Sequence, residues 1–185
     1  MALKNARIAI GIGVFLLGAV GGNMLIQYFQ ENSASNQAAV AAAQSMIKKH
    51  RPEFLLPDLE GRLRNIGEWD GKVVAVNFWA TWCPPCRKEI PAFIELQEQY
   101  GLSGLQIVGI AIDEKDSVVD YVDTMGINYP ILLGEQKGVD TMKEYGDRFG
   151  ALPYTAIVDR KGDIVFVHRG ELSRELAEST IKSVL

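Results

Sequence analysis

The chain has few of the residues from which metal and disulfide frameworks are built. It contains two cysteines and two histidines in 185 residues. A structural zinc site needs four ligands, and His50 and His168 do not form a ligand-like pair with each other or with the cysteines. No metal site is therefore expected. The sequence also lacks a basic excess: its formal net charge is −4, with no Lys/Arg-rich block. A phosphate-binding surface would show as such an excess, so nucleic acid is not the expected partner. Internal repeats are absent, and low complexity is confined to one alanine-rich stretch. No cofactor motif appears.

What is present begins with one long apolar run. Ile8 to Ile26 carries no charge and follows Lys4 and Arg7, while Glu31 lies beyond it. A helix of that length spans about 28 Å, close to a bilayer's hydrocarbon core. The positive charges ahead of it predict a cytoplasmic N-terminus, residues 1–7, and a transmembrane signal anchor, residues 8–26. The rival is a cleaved signal peptide, with small residues near Ser33 to Ser35 as a cut site. Both readings export the remainder. Residues 27–50 read as an alanine-rich helical stalk, with Ser35 or Asn36 as a cap.

The remaining residues, 51–185, have the composition of a globular domain. FLLPDLEGRLRNI reads as a hairpin around Glu60 and Gly61. VVAVNFW and LQIVGIAID are continuous apolar runs, as in strands buried on both faces. Further strands are expected at YPILLG, TAIVD and DIVFVHRG, the last two joined by a turn near Lys161 and Gly162. Helices are expected after Cys83, over DSVVDYVDTMG with Gly126 as its C-cap, from Val139, and after Ser173. Alternating strands and helices with a late hairpin define an α/β fold, a mixed sheet flanked by helices.

The chemistry concentrates in NFWATWCPPCRKEIP, residues 77–91. A structural staple stabilises most when it closes a long loop, and Cys83 to Cys86 closes almost none. Reversible dithiol chemistry remains. Cys83 sits at a helix start, where the positive end of the dipole favours thiolate. It is the expected exposed nucleophile, with Cys86 as the inner, resolving thiol. Pro84 and Pro85 fit the first turn, yet each removes an amide donor near the Cys83 sulfur. Pro85 also disfavours helical angles at Pro84, so the helix is expected to begin at Pro85. Glu89, three residues after Cys86, shares its helix face and has no cation at the neighbouring helical positions. A partly buried carboxyl group there would have a raised pKa and exchange protons with the thiols. The plainer alternative is a solvated first-turn glutamate.

This segment, with the leading hairpin and GALPYTAIVDRKGDIV, resembles the TlpA/ResA-like family of membrane-anchored, thioredoxin-fold thiol–disulfide oxidoreductases. The resemblance covers nearly all of residues 52–185. It implies a thioredoxin-like fold with a central strand–helix insertion, a cis Pro153 facing the disulfide, and a Leu152 backbone that pairs with substrate. Trp82 on the site's rim and Pro84 join them as expected substrate contacts, and Glu89 matches a glutamate of the family motif. Asn77 stands where thioredoxins commonly carry a buried aspartate, and Tyr154 departs from their threonine. The implied partners are protein thiol or disulfide substrates, such as apocytochrome c or oxidase-assembly proteins, and a membrane thiol electron conductor. The implied location is the extracytoplasmic side of a bacterial cytoplasmic membrane. A disulfide oxidant or isomerase, a metal-delivery module and a peroxiredoxin are the competing functions.

Overall fold

A computed structural model describes residues 24–185. The expected membrane span over residues 8–26 therefore lies outside the described residues, apart from its last three positions. The chain divides into two compact units, 1–40 and 41–185. In the first, the described residues 24–40 are helical, and the helix, α1, extends to residue 44. Ser35 does not cap it: its hydroxyl bonds back to the Asn32 carbonyl at 2.9 Å, inside the helix. Alanine propensity carries the helix through a residue that also suits a cap. Among the described residues, no helix is long and apolar enough to cross a membrane.

The second unit begins ten residues ahead of the expected domain start. The Lys48 amide donates to the Ile164 carbonyl at 2.7 Å, and the Arg51 amide to the Gly162 carbonyl at 2.8 Å. Strands β1 (Leu55–Pro57) and β2 (Leu63–Asn65) form the antiparallel hairpin. Gly61 turns it at a φ of 81°, a left-handed conformation that suits glycine.

The main sheet has strands β3 (Val73–Trp79), β4 (Leu105–Ala111), β5 (Ile131–Leu133), β6 (Tyr154–Val158) and β7 (Ile164–Arg169), in the order β5-β4-β3-β6-β7. β4 runs parallel to β3 and β5, while β6 is antiparallel to β3 and β7. Helices α2 (Pro84–Tyr100), α3 (Lys115–Met125), α4 (Glu135–Glu144) and α5 (Arg174–Lys182) complete the unit. All seven residues of β3 are buried, as a central strand covered on both faces requires. Its alternation divides the core. Val73, Ala75 and Trp79 join the cysteines, Phe93, Leu96, Val118 and Ile181 in one cluster. Val74, Val76 and Phe78 join Met142, Tyr145 and Tyr154 in the other. Asn77 follows the first set by the period of two, and so lies beneath α2.

Two helix starts differ from the sequence reading. α2 begins at Pro84, with both prolines in its first two positions. A first turn leaves their missing amide protons without consequence and matches their fixed φ, which outweighs the disfavour at Pro84. α4 begins at Glu135, four residues before Val139. Gly138 is a helical residue at a close crossing, since a Cβ there would lie 2.4 Å from Ile112 Cδ1.

Candidate active site

The site forms where β3 ends and α2 begins. The loop between them is fastened to the end of β4. The Thr81 amide and hydroxyl both donate to Asp113 Oδ2, at 2.9 and 2.5 Å, and the Ile112 amide donates to the Trp79 carbonyl at 2.8 Å. These bonds fix the chain on either side of Ala80, and Cys83 then caps α2. Its Sγ accepts the Cys86 amide at 3.3 Å. With Pro84 and Pro85 lacking an N–H, and the Arg87 amide taken by the Cys83 carbonyl at 3.2 Å, this is the first-turn amide that serves the sulfur.

Cys83 and Cys86 form a disulfide. Cys86 is fully buried, and Cys83 is only 3% exposed, which corrects the expectation of an exposed nucleophile. As the N-cap, Cys83 folds its side chain back over the helix start, into the core cluster that also holds Cys86 and Trp79. Trp82, by contrast, is 64% exposed. It lines an open cleft of about 380 Å³ with Ile112, Asp113, Glu114 and Glu135. Pro84 is exposed beside it in sequence.

Glu89 is buried at 2% exposure. Its Oε1 accepts Asn77 Nδ2 at 2.7 Å, and its Oε2 accepts the Leu172 amide at 2.8 Å. Burial raises the pKa from 4.5 to about 7, with a smaller upward push from the Glu171 charge; the two N–H donors act against both. The carboxyl group therefore changes charge near neutral pH, one helical turn from Cys86. Asn77 also donates to Thr155 Oγ1 at 3.0 Å, its cross-strand partner in the β3–β6 register.

The Leu152–Pro153 peptide is cis, and Pro153 is buried. Leu152 packs against the cluster that holds both cysteines. The preceding loop is built around Asp147, which is fully buried. Asp147 accepts the Ala151 amide at 2.7 Å and the Phe149 amide at 3.3 Å, and pairs with Arg169. The Gly170 amide donates to the Pro153 carbonyl at 2.8 Å. Tyr154 turns away to the opposite core, where its hydroxyl donates to the Tyr145 carbonyl at 2.8 Å.

The helical spacing brings Cys86 and Glu89 onto one face, as the sequence predicts. Spacing does not reveal Thr155, Leu172, Asp113 and Asp147. Thr155 follows from alternation only once β6 is known to lie beside β3. No local signal marks Leu172, whose contribution is a backbone amide.

A disulfide at a strand-to-helix junction, a five-stranded mixed sheet and a cis-proline opening the antiparallel strand define a thioredoxin-like fold. Residues 46–185 match the Redoxin family, and the chain belongs to it. It is similar along nearly its whole length to thiol-disulfide oxidoreductase ResA of Bacillus thuringiensis, with 31% identity over 185 residues, 98% of this chain and 99% of that one. The ResA protein of Geobacillus thermodenitrificans is 31% identical over 172 residues, covering 92% and 91%. The crystal structure of a thioredoxin-family thiol:disulfide interchange protein from Chlorobium tepidum superposes with a TM-score of 0.67 at 30% identity, over 73% of this chain and 94% of that one. The protein is a thiol–disulfide oxidoreductase of the ResA type.

Proposed function

We propose that the chain works as a membrane-anchored, extracytoplasmic reductase of protein disulfides, with Cys83 and Cys86 as the reacting pair. The run from Ile8 to Ile26 and the charges ahead of it support the anchor and the export.

The direction rests on the first turn of α2. A dithiol becomes a strong oxidant when its reduced, thiolate-bearing form is stabilised. Here Pro84 and Pro85 remove two donors from the helix start, leaving the Cys86 amide at the sulfur. A buried carboxyl group one turn away adds negative charge. Both features disfavour the thiolate, favour the disulfide, and so make the reduced protein an electron donor.

In the forward reaction the Cys83 thiolate attacks one sulfur of a substrate disulfide. That S–S bond breaks, and a mixed disulfide forms with one substrate thiolate released. Cys86 then passes its proton to the Glu89 carboxylate and attacks Cys83 Sγ. The bond from Cys83 Sγ to the substrate breaks, the second substrate sulfur leaves as a thiolate, and the Cys83–Cys86 disulfide results. Two electrons have passed to the substrate, and a membrane thiol electron conductor restores the dithiol. Trp82, Pro84, Leu152 and Pro153 flank the cysteines as the substrate-contacting set. The family resemblance extends the substrates to apocytochrome c before haem attachment, or to cysteines of oxidase-assembly proteins.

Trapping tests this reading. A Cys86→Ser variant should accumulate mixed disulfides through Cys83 with exported proteins that need reduced cysteines. An absence of such adducts, together with tight stoichiometric copper or zinc binding by the reduced protein, would instead indicate metal delivery.

A further inference from the structure

Glu89 is surrounded by groups from several elements. β3 supplies Asn77, the segment before α5 supplies Glu171 and the Leu172 amide, and Tyr129, ahead of β5, lies within reach of its charge. Behind Asn77, β6 supplies Thr155. On its own helix, Cys86 lies one turn earlier. Lys88 turns to Glu171, at 3.7 Å.

Of the side chains that bond to Glu89, Asn77 has incomplete hydrogen bonding among the described residues. Its Nδ2 uses both hydrogens, toward Glu89 Oε1 at 2.7 Å and Thr155 Oγ1 at 3.0 Å. Its Oδ1 is buried with no partner among the described residues. The reversed amide would aim Oδ1 at Glu89 and leave two N–H groups in the place of the orphan oxygen. Unpaired buried N–H groups are rarer than under-satisfied carbonyls. A carbonyl oxygen 2.7 Å from a carboxylate oxygen is also repulsive unless a proton lies between them. The arrangement therefore suits an ionised Glu89: N–H donors face both of its oxygens. A neutral Glu89 would require Asn77 to turn over, or its own O–H to find another acceptor.

We infer that Asn77 is a positioning residue that sets the proton affinity of Glu89, and that Thr155, accepting the second Nδ2 hydrogen, holds the amide in place against the carboxyl group. The inference deepens the proposed role of Glu89 as proton acceptor and rests on it for its functional meaning. It also gives a reason for a neutral residue at 77. An aspartate there would place a second carboxyl group beside Glu89, and two carboxyls sharing a site do not both ionise at neutral pH.

The test uses the full chain in detergent micelles, oxidised, with glutamate labelled by ¹³C at the carboxyl carbon. The pH titration of the Glu89 resonance is followed by NMR. Asn77→Ala should raise its midpoint by about one to two pH units, the effect of losing a hydrogen bond to a charged group. Thr155→Val should raise it less, and Thr155→Ser should leave it unchanged. Asn77→Asp should convert one titration step into two. A midpoint unmoved in Asn77→Ala with native near-UV circular dichroism overturns the inference. If Asn77→Ala does not fold, equal midpoints in Thr155→Val and Thr155→Ser overturn it instead. The pH profile of disulfide exchange in the same variants separates the two readings. A resonance that shifts without a matching shift in the rate profile supports the assignment to Asn77 and rejects Glu89 as the proton acceptor.

Discussion

Leu172 lies 83 residues after Glu89, and its amide sits 2.8 Å from Glu89 Oε2. The next residue, Ser173, caps α5 through the Leu176 amide. The carboxyl group beside the cysteines is thus held from above by the entry to α5 and from below by the central strand. Burial raises its pKa and these bonds limit the rise, so the carboxyl group gains or loses its proton near neutral pH.

This has a consequence for stability. The folded chain keeps a proton on Glu89 up to about pH 7, whereas the unfolded chain loses it near the ordinary value of 4.5. Folding stability should therefore fall as pH rises from about 4.5 to 7, by up to about 3 kcal/mol from this group. Glu89→Gln removes the titration. Urea denaturation at both ends of the window should show parent and variant diverging by that amount. Parallel pH dependence in the two would contradict the prediction.

Asp147 organises the loop that delivers Leu152 and Pro153. It is a buried acceptor for two amides and the partner of Arg169. Asp147→Ala leaves all three without their acceptor and should destabilise the protein by about 3 kcal/mol or more. Asp147→Asn, which keeps one acceptor oxygen, should lose less. Denaturation midpoints check both, and equal losses would argue against the loop's dependence on the carboxylate.

Two glycines with positive φ should respond differently to alanine. Gly146 has a φ of 107°, and a Cβ there would lie 2.7 Å from Met46 Cγ and 3.2 Å from the Ala43 Cα and the Tyr154 hydroxyl. Gly126 has a φ of 64° with open space around it. Gly126→Ala should cost about 1 kcal/mol, from backbone conformation alone. Gly146→Ala adds overpacking and should cost about 2–4 kcal/mol. Thermal unfolding of the pair tests the ordering.

The elements most legible in the sequence are those with local causes. The unbroken apolar run of VVAVNFW predicts β3, and Ser173 and Gly126 mark helix ends because their side chain or φ acts on adjacent backbone. Spacing alone places Glu89 on the face of Cys86. The start of α4 at Glu135 lies ahead of the expected Val139, and the glycine between them, Gly138, sits where a Cβ would meet Ile112 of another segment. The near-complete burial of Cys83 is hidden, since it depends on neighbours drawn from other elements. Asn77 and Glu89 stand out separately. Their meeting with Thr155 and Leu172 depends on sheet order and on where α5 enters, neither of which a single segment encodes.

In the proposed direction, this dithiol gives electrons to substrates. The most direct measurement is a redox titration of Cys83 and Cys86 against a thiol–disulfide buffer at pH 7. A reduction potential near or below that of thioredoxin, about −270 mV, is the predicted result. A value near that of a strong oxidant, about −120 mV, would contradict it.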